Sequence, residues 1–435
     1  MINQKPFFFF LLVFFSLSGF AQEILTAEEA VKISLENNYN IRLAKNSLNQ
    51  DELRSSLGFA GILPQVNAVV QDNNSIQNLE QTRSDGTINS LDNAKNNSLA
   101  YGVALDWALF DGLRMFARYD ELKELKNLGS MELKNTILNN TSNVLIVYYE
   151  IVQQKQQLSV LDSTRAISQQ RVDLAHNRFI IGKAAKLEEL NARVDLNTDQ
   201  TLYLRQQEML VNTKTELNLL LARDPQTEFI VNEEIIVDDQ LFLPELVSKV
   251  KEENPQLLAQ VINKRIAELQ LKQIKANRYP TVTASTGYNF NNSESSLGFT
   301  TQSSAYGWNY GVRASMNIFD GFNQNRNEKI AKIDVASSKI LVEQQQQELL
   351  AQLTQNYQTY QTNLSLMELE QENEINAKEN LEITMDKYRI GTIPTIEFRT
   401  AQLNYINAQL RLTDATYQAK LSEIYLKALS GGLAL

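Results

Sequence analysis

Residues 101–112 of the chain read YGVALDWALFDG, and residues 310–321 read YGVRASMNIFDG. The two stretches share their opening Tyr-Gly-Val and their closing Phe-Asp-Gly, at a constant separation of 209 residues. In both, large apolar side chains alternate with small or polar ones, which is the pattern of a β-strand with one apolar face. Each strand runs into an Asp-Gly pair, which favours a turn. The chain therefore contains two related copies of a strand and its exit.

The duplication extends along most of the chain. Downstream the offset stays at 209, as shown by the pairs Tyr148–Tyr357 and Gly182–Gly391. Upstream of the strands the offset is 216, as shown by the pairs Asn38–Asn254 and Pro64–Pro280. The offset changes within the Asn/Ser-rich stretch 71–97, which we interpret as a surface loop because loops tolerate insertions. We predict a first repeat at 22–222, a linker at 223–243 and a second repeat at 244–435.

Each repeat is predicted to contribute two strands, at about 64–72 and 98–110 in the first copy and at about 280–290 and 306–319 in the second. Period-2 alternation over about ten residues is typical of a transmembrane β-strand, with apolar side chains toward lipid. The alternation alone fits a half-buried soluble sheet equally well. Four strands are too few to close a barrel, which needs about eight, unless several chains share one.

Long helices follow the strands. Residues 322–390 contain neither glycine nor proline, and a helix of that length would reach about 100 Å. In the first copy only Gly129 interrupts the matching stretch 113–181. Within 322–390, apolar residues recur at spacings of three and four, at Leu350, Leu353, Tyr357, Tyr360, Leu364 and Met367. This heptad pattern predicts coiled-coil packing, and Gly182 and Gly391 predict the tight turns that end the two helices.

The first 21 residues have the pattern of a secretory signal peptide. Lys5 precedes an unbroken apolar run at 7–15, and Gly19 and Ala21 form a small-x-small cleavage site. No later stretch approaches 18 apolar residues in a row. We therefore expect an exported protein without a transmembrane helix.

The composition excludes several classes of function. The chain has no cysteine, only one histidine (His176) and a formal net charge of −10. A nucleic-acid partner is not expected, because such proteins usually carry a basic patch. No metal site and no cofactor are predicted, and we expect no enzymatic activity, although carboxylate chemistry in an extracytoplasmic hydrolase is an alternative that sequence leaves open.

The order of these features resembles the TolC-type outer-membrane efflux protein family, also called outer membrane factors. The resemblance covers nearly all of the chain after the leader. It rests on the duplicated unit, on the strand exits LFDG at 109–112 and IFDG at 318–321, and on the tips RFIIG at 178–182 and KYRIG at 387–391. It implies a mainly α fold with a β-barrel part. In that fold a long coiled-coil α-helical barrel joins four transmembrane strands per chain, and a homotrimer forms one 12-stranded barrel.

The resemblance also implies a function and a location. The protein would be the outer-membrane exit duct of a tripartite efflux or type I secretion system, with a large periplasmic part in a Gram-negative bacterium. Its partners would be outer-membrane lipid, a periplasmic adaptor protein and an inner-membrane pump. The alternative is a non-channel coiled-coil spacer or adaptor in the periplasm. The cargo, the identity of the pump and the resting state of the tip are not encoded in any motif.

Four residues near the tips are candidates for a constriction. By position the resemblance carries acidic residues of the family's constriction onto Glu188 and Glu397, and a tyrosine of its gate onto Tyr388. A second acidic layer is absent, and Ile393 stands where the family has an arginine. We expect apolar packing through Ile393 to take the place of that polar contact.

Three further residues have simpler interpretations. Asp111 and Asp320 stand between a strand and a helix, so we interpret them as helix N-caps. His176 lies on a polar helix flank near one tip, and we expect it to be solvated.

Overall fold

The computed structural model describes residues 24–296 and 300–433. The predicted signal peptide at 1–21 lies outside these ranges. None of the helices in the described ranges is long and apolar enough to cross a membrane.

Helices make up most of the chain, and two of them are very long. The eight helices of the described residues are α1 Ala27–Asn37, α2 Tyr39–Arg54, α3 Arg114–Ile180, α4 Lys186–Leu220, α5 Leu243–Glu253, α6 Pro255–Ala276, α7 Asn323–Ile390 and α8 Thr395–Leu429. With 67 residues in α3 and 68 in α7, the prediction of two long helices is confirmed. Gly129 does not interrupt α3, since a single glycine in a helix costs only about 1 kcal/mol relative to alanine.

Six strands accompany these helices in the described part of the chain: β1 Ile24–Leu25, β2 Gln65–Thr82, β3 Ile88–Phe110, β4 Ile230–Val231, β5 Thr281–Ser295 and β6 Gln302–Ser315. The four long strands form one antiparallel sheet in the order β2-β3-β5-β6. The sheet therefore has two outer edges, at β2 and β6. The short strands β1 and β4 pair in parallel near the middle of α3.

The strand bounds differ from the predicted ones by four or more residues at five ends, namely the start of β3, both ends of β6 and the ends of β2 and β5. The stretch 71–97 is largely an extension of the β2–β3 hairpin, which closes at 83–87. Most side chains of this extension are exposed on both faces, so it lacks the apolar alternation that would reveal it in the sequence. Strand β6 ends at Ser315 rather than at 319. Its partner β5 begins at Thr281, directly after Pro280, which has no N–H for the ladder.

Each long helix begins with a carboxylate that binds its first turn. Asp111 accepts hydrogen bonds from the Met115 N–H at 3.0 and 3.2 Å, and Asp320 accepts one from the Gln324 N–H at 2.6 Å. The formal N-cap of α3 is Leu113, in the left-handed conformation, and α7 has the same arrangement. The two aspartates therefore cap the helices as expected, but from two positions before the N-cap.

The two repeats reproduce contacts atom by atom. Asn38 donates to the Leu220 carbonyl at 2.9 Å, and Asn254, 216 residues later, donates to the Leu429 carbonyl at 3.0 Å. The hydroxyl of Tyr148 donates to the Leu25 carbonyl and that of Tyr357 to the Leu241 carbonyl, which are again equivalent pairs. The offsets read from the sequence therefore describe structural equivalence.

The helices lie side by side in the order α2, α3, α6, α7, with α4 and α8 returning from the tips. The heptad positions Leu353 and Tyr360 are fully buried, and α3 is buried around Val144, Tyr148 and Ile151 where α1 and the β1–β4 pair cover it. This arrangement puts the sheet near one end of the helices and the two turns at the other.

Candidate functional site

The two helical hairpins end in glycine turns that lie against each other. Gly182 and Gly391 have φ of 74° and 83°, which only glycine adopts without strain, and this closes α3 and α7. Arg178 of the first turn donates a 2.6 Å hydrogen bond to the carbonyl of Tyr388 in the second. Its guanidinium carbon also lies 4.6 Å from the centre of the Tyr388 ring. A charged hydrogen bond and a cation–π contact therefore join the two tips.

Tyr388 forms the centre of an apolar cluster at the tip. Only 2% of it is exposed, and its ring stacks on Phe398 with the ring centres 5.0 Å apart. Ile393 packs against the same cluster, half-buried, from the turn. Within one chain, the two apolar candidates of the constriction thus hold α7 and α8 together.

The two acidic candidates have different surroundings. Glu188 is half-buried in the first turn of α4 and accepts a hydrogen bond from the hydroxyl of Thr395, in the first turn of α8. Glu397 is exposed in the first turn of α8, and its carboxylate makes no hydrogen bond or ion pair with the described residues. Glu188 therefore links the two hairpins, whereas Glu397 remains open to water or to another chain.

Glu189, adjacent to one of these candidates, is a charged residue that the sequence analysis missed. It is fully buried between Lys186, 2.6 Å away, and Arg193, 2.8 Å away. Hydrogen bonds from Lys186, Arg193 and His176 lower the pKa of Glu189 to about 2. The signal available was the spacing of three and four residues that brings Lys186, Glu189 and Arg193 together on one helix face.

His176 was expected to be solvated and is only partly so. Its side chain is 46% exposed, and its Nδ1 lies 3.3 Å from the Glu189 carboxylate. The histidine therefore connects α3 to the start of α4.

A buried polar network connects α3, α4 and α8 farther along these helices from the turns. Asp199 accepts two hydrogen bonds from Arg399, at 2.8 and 2.9 Å, and one from Ser168 at 2.5 Å. Gln402 donates to the Ser168 hydroxyl at 3.1 Å, and Asp199, Ser168 and Gln402 are all at most 2% exposed. Sequence patterns did not reveal this network, because its polar members look like residues of a solvated helix flank.

The tips combine charged contacts with apolar packing. Across residues 24–296 and 300–433, no three histidine or acidic side chains are placed to hold a metal ion. The site brings Glu188, Tyr388 and Ile393 within one turn region of two adjoining hairpins, and Glu397 lies on the same α8 turn.

Comparison with known proteins identifies relatives over nearly the whole chain. The model of the outer membrane efflux protein family matches residues 30–223 and 246–432. The outer membrane protein TolC of Escherichia coli K12 is 20% identical over 441 residues, covering 97% of this chain and 86% of TolC. The probable outer membrane lipoprotein SilC of Salmonella typhimurium is 22% identical, covering 74% of this chain and 72% of SilC.

Solved structures share the fold. The CmeC outer membrane channel of Campylobacter jejuni superposes with a TM-score of 0.77 at 16% identity, covering 93% of this chain and 86% of CmeC. The open-state MtrE outer membrane channel of Neisseria gonorrhoeae gives a TM-score of 0.73 at 14% identity, with 94% and 89% covered. At such identities the likeness establishes a common arrangement of long helices and sheet.

Proposed function

We propose, since the chain belongs to the outer membrane efflux protein family, that three copies of it close into one exit duct. Family membership makes the protein an outer-membrane efflux channel of a Gram-negative bacterium with a large periplasmic part. It does not favour the alternative of a periplasmic spacer or adaptor. The proposal concerns the number of copies in the duct, its partner proteins and its gate.

The observation that carries the proposal is an open-edged sheet with an aromatic face. Six aromatic side chains lie on one face of β3, β5 and β6, in register with one another: Tyr101, Tyr288, Phe290, Tyr306, Trp308 and Tyr310. Tyrosine and tryptophan are enriched where a protein surface meets the interfacial zone of a membrane. The polar face of the same strands carries Asn289 and Asn309, which hydrogen-bond to each other at 2.9 Å.

Closure follows from the cost of unpaired backbone groups in hydrocarbon. The strands β2 and β6 each leave one row of N–H and C=O groups unpaired within the described chain. Lipid offers these groups no hydrogen-bond partner, so a four-stranded sheet cannot insert with open edges. Three copies would supply twelve strands, above the roughly eight that a barrel needs.

The direction of transport requires partners. A duct built from packed helices and strands supplies no energy of its own, so a separate inner-membrane pump would drive the cargo. A helix of 67 residues spans about 100 Å, enough to carry the tips deep into the periplasm. There a periplasmic adaptor would meet the exposed apolar side chains of the turns, Ile180, Ile181, Ile390 and Ile396.

The tips would act as the gate of the duct. In this proposal Glu188, Glu397, Tyr388 and Ile393 form the constriction, and the contact of Arg178 with Tyr388 holds the two hairpins of each chain together. Opening would separate the hairpins, breaking that contact and the Glu188–Thr395 hydrogen bond. Ile167 and Leu174 of α3 pack against the apolar cluster around Tyr388, so opening would also break these contacts.

Two measurements on one sample test the proposal. The full-length protein, extracted from outer membranes in mild detergent, should have the mass of a trimer, and the same preparation should form ion-conducting channels in planar bilayers. A protein that leaves the membrane fraction without detergent, or a monomer that conducts, would overturn the proposal.

A further inference from the structure

Gly311 lies within the edge strand β6, and nothing inside its own chain requires a glycine there. Its φ is outside the left-handed region, and a Cβ built on it meets no atom within 4 Å. Glycine inside a strand weakens it, because glycine contributes no side-chain packing and has more conformational freedom to lose on folding. A glycine inside a strand often marks a bulge, a bend or a close approach by another backbone or a ligand.

The equivalent glycine of the first repeat shows which residue comes close to such a position. Gly102 is equivalent to Gly311 and pairs with Asn289 of the neighbouring strand β5. A Cβ on Gly102 would clash with the Asn289 side-chain oxygen and with the Tyr288 carbonyl, and would lie 2.9 Å from the Asn289 Cα. In β3 the glycine therefore makes room both for the backbone of the next strand at Tyr288 and Asn289 and for the Asn289 side chain.

The asparagine has a counterpart of its own. The offset of 216 that relates β2 to β5 maps Asn289 onto Asn73. The offsets hold at the level of single pairs in the sheet, because the hairpin pair Gln65–Asp106 corresponds to the observed pair Thr281–Ser315. Asn73 lies on β2, at the opposite edge of the sheet from Gly311.

We propose that Gly311 of one chain receives the Asn73 side chain of a second copy of this chain. The strands β6 and β2 of adjacent copies would then pair antiparallel, with Gly311 directly opposite Asn73, as Gly102 is opposite Asn289. The inference rests on the proposed trimer and adds the register of its three seams.

The location of the contact has a consequence for the pore. Gly311 lies on the polar face of β6, the face that carries Asn309. Asn73 of the second copy would lie on the same face, so each seam would place an amide at the lumen wall. The site is incomplete in a single chain, since its two halves lie on opposite edges.

Disulfide trapping tests the register, because the natural chain has no cysteine. Residues directly opposite in an antiparallel pair have Cα atoms about 4.5–5.5 Å apart, within the range of a disulfide. To leave Gly311 intact, the trap uses the next pair of the same register, Asn309 opposite Ser75, as Ala100 is opposite Asn291. The double variant Asn309→Cys with Ser75→Cys should give covalent dimers and trimers on a non-reducing gel after mild oxidation. Matched controls pair Asn309→Cys with Gln77→Cys or Gln71→Cys, which lie two and four residues out of register on the same face. These should cross-link several-fold less.

The outcomes separate this inference from the proposed function. A parent protein that is monomeric in mild detergent overturns the trimer and the seam with it. A trimeric parent whose Asn309→Cys variant cross-links through Gln77→Cys or Gln71→Cys, or through none of the three pairs, overturns only the seam register.

A second pair of variants tests the need for glycine without any cross-link. Gly307, four residues before Gly311 on the same face, also has nothing within 4 Å of a built Cβ, but its equivalent in β3 is Ser98. A serine is therefore already accommodated at that position of the inner seam. Gly311→Ser should cause loss of most of the trimer, and Gly307→Ser should leave it intact. Equal trimer yields from the two variants would contradict the inference.

Discussion

Arg178 and Tyr388, 210 residues apart in the chain, are in direct contact at the tips of the two hairpins. The arginine donates a 2.6 Å hydrogen bond to the tyrosine carbonyl and places its guanidinium over the tyrosine ring. The two residues belong to different repeats, so the contact joins the halves of the duplicated chain at the end farthest from the sheet. Any separation of the hairpins has to break it.

Removing this contact should loosen the gate. Arg178→Gln deletes a charge-assisted hydrogen bond, worth about 1.5–3 kcal/mol, and a cation–π contact of about 0.5–2 kcal/mol. We expect a larger resting conductance in planar bilayers with unchanged trimer yield. Arg389→Gln is the matched control, because Arg389 makes an exposed 3.5 Å ion pair with Asp386 and no other ion pair with the described residues. Equal conductance in the parent and the Arg178 variant would assign the contact a purely structural role.

The acidic candidates should control ion selectivity. If three chains each bring Glu188 and Glu397 to one narrow passage, their carboxylates attract cations, and a water-lined constriction focuses that field. The double variant Glu188→Gln with Glu397→Gln should move the cation-to-anion permeability ratio toward one and weaken block by multivalent cations. The exposed Glu368, in the middle of α7, provides the control variant Glu368→Gln. A double variant with parental selectivity would mean that the two carboxylates only favour the helix N-termini.

The buried Glu189 should make the tip sensitive to acid. Its pKa is lowered from 4.5 to about 2, so its ionised form stabilises the folded tip above pH 4.5, and this contribution is lost as the pH falls toward 2. The melting temperature of the parent should therefore exceed that of Glu189→Gln at pH 6. The difference should shrink as the pH is lowered toward 3. A difference that does not change with pH would show that burial of the side chain, and not its charge, stabilises this region.

The two faces of the sheet should respond differently to charge. Val103 lies on the aromatic face of β3 and Ala104, its neighbour, on the polar face. Val103→Arg should impair membrane insertion by about 2–4 kcal/mol if the residue is near the midplane. Ala104→Arg, which adds the same side chain one position along, should insert normally. The two variants are compared by their yields of inserted trimer, measured by heat-modifiable mobility on gels. Equal losses would contradict the assignment of the two faces.

The sequence alone was sufficient for the repeat and for the elements with strong local signals. Glycine and proline are absent from 322–390, so α7 had to continue, and it does so for 68 residues. The Asp-Gly exits marked the helix starts, because an aspartate carboxylate satisfies free backbone N–H groups there. The offsets of 209 and 216 proved to describe individual hydrogen bonds, such as those of Asn38 and Asn254. These features depend on residues close in sequence or on comparison of the chain with itself.

The tertiary structure decided what the side chains at the tips face. Glu188 and Glu189 are adjacent and chemically alike. Yet one bonds Thr395 of another helix, and the other is enclosed by Lys186, Arg193 and His176. The hairpin extension at 71–97 carries no periodic signal, because both of its faces are largely polar and exposed. The network around Asp199 carries none either, because polar residues on a helix look the same in sequence whether water or a neighbouring helix covers them. Such surroundings depend on which distant segments pack together, and that information is carried by the fold as a whole rather than by any local stretch of sequence.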